Sequence, residues 1–231
     1  MTDRAAGLSD LARLTRAASV PAALRRRPGT ARALARFRST PRIARTMEAL
    51  VRIAQIAPLI ESVPPKLYGG TERVVSWLTD ALVEEGHDVT LFATGDSTTR
   101  AKLEPMSEQG LRLSGIRDHY AYHLLMLEQV RARADEFDVL HFHTDVLQFS
   151  MFSDIAHKCV TTMHGRLDLP DFMPIYAKFP EMPLISISKS QRKPLPPATN
   201  WLATIPHGLP PDLCPYAPGK GSYLAFLGRI D

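Results

Sequence analysis

Beyond residue 50, short apolar runs rich in β-branched residues alternate with segments whose apolar residues recur at helical spacing. The run VRIAQIAPLI at 51–60 predicts a strand buried on both faces, and TERVVSWLTDALVEEG at 71–86 predicts a helix. Thr71 is the predicted N-cap of that helix, and Gly86 is its predicted left-handed C-terminal stop. Strands that alternate with helices favour a mostly parallel sheet covered on both faces. The predicted fold class is therefore a doubly wound, Rossmann-like α/β fold.

The rest of the chain continues this alternation. A strand at 87–95 is followed by a polar stretch with at most one short strand and by a helix over 118–136. The later predicted elements are a strand at 138–143, a helix near 146–157, and strands at 159–164, 184–188 and 201–206. Because the sequence contains no run of eighteen apolar residues, we expect no membrane-spanning segment.

Residues 1–46 form a basic arm rich in alanine and arginine. The arm has eleven arginines and two aspartates, a net charge of +9, whereas the whole chain has +4, so the remainder carries −5. With little apolar surface, we expect the arm to be disordered or loosely helical. It is interpreted as a solvated tail, or as sequence before a true start at Met47 rather than Met1. Weak contact with an anionic membrane surface, nucleic-acid binding and a targeting peptide are less favoured alternatives.

These features suggest three segments. Residues 47–210 are the predicted Rossmann-like body, which follows the basic arm. Residues 211–231 contain prolines and end in GSYLAFLGRID, a fresh apolar strand without partners. Because a lone strand cannot bury itself, we expect this segment to be a linker and the first strand of an absent second domain. We expect a cytoplasmic protein without a nucleic-acid partner, peripheral at the inner face of the membrane if the arm contacts lipid.

Small, polar and imidazole residues follow most of the predicted strands, where parallel sheets bind ligands. The candidate ligand contacts at this rim are Gly69, Gly70, Thr71, His143, Asp145, Gly165, Ser188, Ser190 and His207. The first three open a helix, whose N-terminal amides favour a phosphate, although a tight turn that needs glycine is the alternative. The chain has neither GxGxxG nor a P-loop, which disfavours dinucleotide oxidoreductases and P-loop NTPases.

Histidines at the strand ends allow more than one chemistry. His141, His143 and Asp145 form H-x-H-x-D, a pattern that a zinc hydrolase could use. Since Val146 follows and no further ligand cluster is present, we favour neutral imidazoles that pack or face substrate, and expect no metal. His164, at the end of another strand, could bond a hydroxyl or act as a general acid or base.

Seven segments in order resemble the family 4 glycosyltransferases between Arg52 and Asp231. They are LYGGTERVV, EEGHDVTLFAT, DVLHFH, TTMHG, SISKSQR, IPHGL and LAFLGRID. The resemblance implies the amino-terminal, acceptor-side domain of a two-domain GT-B fold. It also implies a retaining hexosyl- or pentosyltransferase of carbohydrate biosynthesis, which uses a nucleotide-diphosphate sugar as donor and no cofactor. The acceptor is not indicated.

The resemblance also assigns roles to residues. Gly69 and Gly70 match the glycine loop that approaches the donor diphosphate or the acceptor. His164 is similar to the catalytic histidine that contacts the transferring sugar, and Arg229 resembles the arginine that opens the phosphate-binding segment of the second domain. The lysine and the glutamate pair expected after Arg229 are missing, so we expect this chain alone to be inactive. A non-enzymatic phosphate- or sugar-binding module is the main alternative.

Overall fold

The computed structural model describes residues 50–213, together with Gly219 and Phe226. The basic arm at 1–46 and the candidate phosphate contact Arg229 lie outside these described residues. The predictions made for the arm and for the final strand therefore stay predictions.

Seven strands and four α-helices form the described domain. The strands are β1 (Arg52–Ile56), β2 (Asp88–Thr94), β3 (Lys102–Ser107), β4 (Val139–Phe142), β5 (Cys159–Met163), β6 (Leu184–Ser186) and β7 (Trp201–Thr204). The helices are α1 (Gly70–Glu84), α2 (Tyr120–Ala132), α3 (Phe149–Phe152) and α4 (Met173–Lys178). Short 3₁₀ turns cover Ala134–Glu136, Ser153–Lys158 and Pro170–Phe172. None of the helices in this described part is long and apolar enough to cross a membrane.

All seven strands belong to one sheet with the order β3-β2-β1-β4-β5-β6-β7, and every neighbouring pair is parallel. Helix α1 packs on one face through Val75, Leu78 and Leu82. Helices α2 and α3 pack in the larger core on the opposite face, which contains Phe142 and Phe152. The doubly wound α/β prediction is confirmed. Strands β2 and β3 lie on one side of β1, and strands β4 to β7 lie on the other side. The direction of strand order therefore reverses between β1 and β4, which makes this the topological switch point.

Helix α1 begins differently from the prediction. Thr71 is not its N-cap: Gly69 occupies that position, and no side chain caps the first turn. Thr71 lies inside the helix because the helix already begins at Gly70, and Glu72 supplies the acidic group of the first turn. The C-terminal prediction is confirmed, since Gly86 has φ 90° and its N–H donates to the carbonyl of Val83.

Several other elements are also shorter than predicted, and the largest differences are at β1 and α3. Strand β1 ends at Ile56, two residues before Pro58, which has no N–H to donate to a neighbouring strand. The predicted helix at 146–157 is a single α-helical turn, α3, followed by a 3₁₀ segment with a kink at Ile155. No residue of Ser153–Lys158 is fully buried, and only Ile155 and Ala156 pack partly against the core, which is too little apolar surface to support a longer amphipathic helix.

Candidate functional site

A pocket of about 500 Å³ lies at the switch point between β1 and β4. Pro58 lines it from the loop after β1, and His143 and Asp145 line it from the loop after β4. Residues 117–120 and His123 form the side that faces the start of α2. This is the position at which doubly wound sheets bind ligands, since the connections on the two sides of the switch point diverge there.

His123 supports the pocket rather than offering a reactive group. Its Nε2 accepts a hydrogen bond from the backbone N–H of Leu59 at 3.0 Å, so its Nδ1 carries the proton and donates to the carbonyl of His119 at 2.8 Å. Burial lowers the pKa of His123, which favours the neutral ring. The imidazole therefore fastens the loop after β1 to the start of α2.

Asp145, which lines this pocket, is held in an unusual backbone conformation. Its φ is 53°, in the left-handed region, which aspartate tolerates better than most residues do. The buried amide of Gln148 donates to the Asp145 carbonyl and to Thr161 Oγ1, both at 2.9 Å, and accepts from Thr144 Oγ1 at 2.8 Å. Asp145 is exposed, yet surrounding protein atoms partly desolvate its carboxyl and raise its pKa. The loop is thus clamped with a carboxyl facing the pocket.

A buried glutamine joins two histidines on the α1 face of the sheet. Gln55 of β1 stands in register with His141 of β4, and His143, two residues further on, points to the same face. Gln55 Oε1 lies 2.8 Å from His143 Nε2, and Gln55 Nε2 lies 3.2 Å from His141 Nδ1. His141 Nε2 lies 2.8 Å from Thr162 Oγ1. These buried polar groups satisfy one another, as interior polar groups must.

Three histidines continue from Gln55 toward the surface. His143 Nδ1 lies 2.8 Å from His164 Nε2, and His164 Nδ1 lies 3.0 Å from His207 Nε2. The imidazole chain, as it is called below, is the hydrogen-bonded series that starts at Gln55 and continues through His143 and His164 to His207. His143 is buried and His207 is exposed, so the chain runs from the sheet interior to the surface.

Burial determines the charge state of the inner imidazoles. It lowers the pKa of His141 and of His164 to about 3. It also lowers the pKa of His143 well below the ordinary value, and the neighbouring histidines lower it further. All three rings are therefore neutral near pH 7 and act as hydrogen-bonding groups rather than as cations.

A second pocket, of about 300 Å³, lies between α1 and the segment after β7. Val74, Trp77 and Leu78 give it an apolar wall on the α1 side. His143 and His207 reach the opposite wall. His143 therefore lines both pockets, and the imidazole chain connects them.

The glycines before α1 differ in their surroundings. A Cβ on Gly69 would lie 2.7 Å from Cβ of Pro65, whereas a Cβ on Gly70 would meet no atom within 4 Å. The Glu72 carboxyl lies in the same first turn and accepts a hydrogen bond from its own backbone N–H. Burial raises the pKa of Glu72, and the nearby Glu61 carboxyl raises it further. Close packing at Gly69 fits the tight-turn alternative, while Gly70 stays open to an approaching group.

Other predicted rim residues hold loops together. Gln191 Nε2 donates to the carbonyl of Gly165 at 2.8 Å, and the Gln191 N–H donates to Ser188 Oγ at 3.1 Å. The Ser190 carbonyl accepts a hydrogen bond from Lys193 N–H at 3.2 Å. Gly165, Ser188 and Ser190 line neither of the two pockets, and neither do Gly69, Gly70 and Thr71.

The glutamines at positions 55, 148 and 191 were missed by sequence reasoning. Gln55 had a usable signal, because a glutamine inside the apolar run VRIAQIAP must find a hydrogen-bond partner when the strand is buried. Gln148, between Leu147 and Phe149, gave a similar but weaker signal, whereas Gln191 lies in the polar run SISKSQRKP and gave none.

The histidines of the H-x-H-x-D pattern are engaged within the protein. Both ring nitrogens of His141 and of His143 are hydrogen-bonded to protein groups. Over residues 50–213, no group of three or more His, Cys, Asp and Glu residues is arranged to hold a metal ion. The geometry therefore gives the zinc-hydrolase alternative no support.

The parallel sheet, the switch-point pocket and the polar rim define a Rossmann-like α/β domain with a candidate site at the switch point. Residues 68–204 match the model of Glycosyltransferase Family 4, which is more than half of the chain. The chain belongs to this family, and the resemblance inferred from its motifs is confirmed.

Among solved structures, the chain is similar to AviGT4, a glycosyltransferase involved in avilamycin A biosynthesis. The identity is 20% and the TM-score is 0.39, and the match covers 62% of this chain and 38% of AviGT4. This chain therefore spans well under half of that protein, and similarity at this level indicates nothing about a shared substrate. No curated protein matches the chain significantly.

Proposed function

We propose that this chain provides the acceptor-binding half of a retaining glycosyltransferase that uses a nucleotide-diphosphate sugar. The observation that carries the proposal is the switch-point pocket with His143 and Asp145, in a chain of Glycosyltransferase Family 4. The Asp145 carboxylate is suited to orienting hydroxyl groups, which every glycosyl acceptor offers, whereas both ring nitrogens of His143 are bonded within the protein and leave that ring to pack against the ligand.

The donor side of the reaction makes different demands. Loss of the nucleotide diphosphate leaves negative charge on phosphate oxygens, which cations and helix-terminal amides stabilise. Arg117 lines the switch-point pocket, but both pockets are otherwise lined by neutral and acidic side chains. The proposal therefore assigns the diphosphate to Arg229 and a second domain, with Gly69, Gly70 and Thr71 as additional amide contacts. On this proposal the 231-residue chain alone does not turn over donor.

An acceptor array tests the location of the acceptor. The chain is applied to immobilised glycans and hydroxylated aglycones, and any hit is titrated by calorimetry against wild type and Asp145→Asn. We expect Asp145→Asn to weaken binding about tenfold, because a charged hydrogen bond becomes a neutral one. The control is Asp171→Asn, an exposed carboxylate outside both pockets. Equal affinity in all three proteins would place the acceptor elsewhere.

A product assay tests the chemistry. A form of the protein that also carries the donor-binding half is given the acceptor and nucleotide sugars, and the anomeric configuration of the product is read by NMR. Retention is expected, and inversion contradicts the retaining assignment. Binding without transfer by that form would favour a non-enzymatic sugar-binding module. Zinc at one equivalent after gentle purification would contradict the metal-independent assignment.

The proposed location is the cytoplasm, with weak contact between the basic arm and anionic lipid as an alternative partner. Co-sedimentation with vesicles of phosphatidylglycerol and phosphatidylcholine, with and without residues 1–46, tests this contact. Binding that requires the arm and falls with added salt supports it, because the attraction is electrostatic.

A further inference from the structure

The catalytic candidate His164 has no ring nitrogen left for a substrate. Its Nε2 is bonded to His143 and its Nδ1 to His207. Along the imidazole chain, the nitrogen without a hydrogen-bond partner among the described residues is Nδ1 of His207. His207 is exposed and lines the pocket beside α1. A substrate hydroxyl that engages this chain therefore meets His207 first.

Gln55 fixes which nitrogen donates and which accepts in each hydrogen bond of the imidazole chain. An amide oxygen can only accept a hydrogen bond and an amide NH₂ can only donate one. Because Gln55 Oε1 faces His143 Nε2, that nitrogen must carry the proton. Because Gln55 Nε2 faces His141 Nδ1, that nitrogen must be unprotonated. One side chain thus sets the tautomers of two buried histidines.

The direction is transmitted outward one ring at a time. A neutral imidazole has one protonated and one unprotonated nitrogen. Since His143 Nε2 is protonated, His143 Nδ1 must accept, and the proton in the next contact belongs to His164 Nε2. By the same reasoning His164 Nδ1 accepts from His207 Nε2. His207 is left with an unprotonated Nδ1.

We propose that Gln55 is a positioning residue that acts through His143 and His164 to hold His207 with an unprotonated Nδ1 at the pocket wall. That nitrogen is a hydrogen-bond acceptor suited to a hydroxyl group. That this hydroxyl belongs to a sugar substrate rests on the proposed function. The tautomers themselves are properties of the protein without ligand. His164 and His143 are positioning residues in this arrangement.

The tautomers can be read directly by NMR. Protein labelled with ¹⁵N in its histidines is studied at pH 7.5 without ligand, since protonated and unprotonated ring nitrogens have well-separated ¹⁵N shifts. We expect Nε2–H tautomers at positions 141, 143, 164 and 207. Protonation of Nδ1 at His164 or His207 would reverse the direction of the chain and overturn the proposal.

Substitution of Gln55 tests its control of the chain. In Gln55→Glu, studied above the pKa of the new carboxyl, both side-chain oxygens accept, so Nδ1 of His141 must gain a proton while Nδ1 of His164 stays unprotonated. An unchanged His141 would overturn the role of Gln55. Gln55→Leu leaves no donor or acceptor beside His143, so nothing fixes the direction of the hydrogen bonds. We therefore expect mixed tautomers at His164 and His207. If the leucine variant does not fold, the glutamate variant, which keeps both contacts polar, still decides the question.

Thr162→Val is the matched control. It removes a buried polar partner from the same face of the sheet, but only from the branch that ends at His141. We expect His164 and His207 to keep their tautomers in this variant. A change at His164 equal to that in Gln55→Leu would show a general packing effect and would contradict the proposal. Because no ligand is added, these results stand apart from the acceptor and product assays.

Discussion

Nδ1 of His164 lies 3.0 Å from Nε2 of His207, and the other ring nitrogen of His164 lies 2.8 Å from His143. The histidine that the family resemblance places beside the transferring sugar is therefore one link in a hydrogen-bonded series. Its ring is neutral and hydrogen-bonded through both nitrogens. It therefore transmits the direction of the hydrogen bonds from the buried amide of Gln55 to the exposed imidazole of His207.

The first prediction concerns turnover. In a form of the protein that transfers sugar, we expect His164→Ala to lower kcat by about 10²-fold, because it interrupts the imidazole chain and misplaces His207. His207→Ala should cause a loss of similar size, because it removes the outer ring of the chain. Steady-state kinetics compares both variants with His157→Gln, which alters an exposed histidine that is not part of the imidazole chain. Near-normal turnover in both alanine variants would contradict a role for the chain in the reaction.

The second prediction concerns acid stability. The unfolded chain protonates His141 below its ordinary pKa near 6.5, whereas the folded protein does so only near pH 3. As pH falls through 6.5, the unfolded state binds the proton first, so the free energy of unfolding falls. One such histidine contributes up to about 1.4 kcal/mol per pH unit.

Urea denaturation of wild type and His141→Gln between pH 7.5 and 5.5 isolates this effect. Wild type should lose more stability than the variant over that range. The comparison is needed because the raised pKa values of Glu72 and Asp145 oppose the trend by stabilising the folded state as pH falls. Parallel curves for the two proteins would refute the assignment.

The third prediction separates the two glycines before α1. Gly69→Ala should destabilise the fold by about 1–3 kcal/mol, because its Cβ would collide with Pro65. Gly69 has φ 170°, an extended conformation open to any residue, so the cost is purely steric. Gly70→Ala should be neutral or stabilising by about 0.5 kcal/mol, because the site is open and alanine favours a helix. Thermal or urea unfolding gives both values, and equal effects would contradict the packing argument.

The fourth prediction concerns the backbone at Asp145. With φ at 53°, Asp145→Val should cost about 1–2 kcal/mol of unfolding free energy, since a β-branched residue is strained there. Asp145→Asn, which tolerates this conformation, should remain near wild type. Urea unfolding measures both variants. A valine variant as stable as the asparagine variant would show that the loop relaxes to an ordinary conformation.

The fifth prediction tests phosphate binding at the start of α1. Any phosphate there shares the helix N-terminus with the Glu72 carboxyl, so Glu72→Gln should strengthen binding of inorganic pyrophosphate about three- to fivefold at pH 8. Calorimetry with pyrophosphate makes the measurement, and Glu108→Gln, an exposed carboxyl on another segment, is the control. Lack of binding to every variant would argue that Gly69 serves a tight turn alone.

The order of strands and helices could be predicted because it depends on local periodicity. The apolar run around Ile53 and the helical spacing of Val75, Leu78 and Leu82 each lie within a few residues of sequence. The prediction failed where the spacing was not matched by burial, as in the 3₁₀ segment Ser153–Lys158. The N-cap prediction at α1 failed for a different reason, since the helix begins one residue before Thr71 and Gly69, which has no side chain, occupies the cap position.

The candidate site was predicted as a set of residues but not as an arrangement. His143, His164 and His207 were all recognised at strand ends, yet the contact between the last two joins residues 43 apart in sequence. Gln55 and His143 are 88 residues apart, and their contact depends on β1 and β4 being neighbours. The sequence also placed Gly165, Ser188 and Ser190 directly after predicted strands. In the structure they form hydrogen bonds within loops and line neither pocket.

The sequence by itself determined the class of fold and the family, because side-chain periodicity and ordered motifs are local properties. Only the tertiary structure decided which polar side chains meet. Strand order and register set the distances between side chains that lie far apart in the chain, and hydrogen bonds form only when those distances fall near 3 Å. The direction of the imidazole chain follows from one buried amide, whose orientation is a consequence of packing.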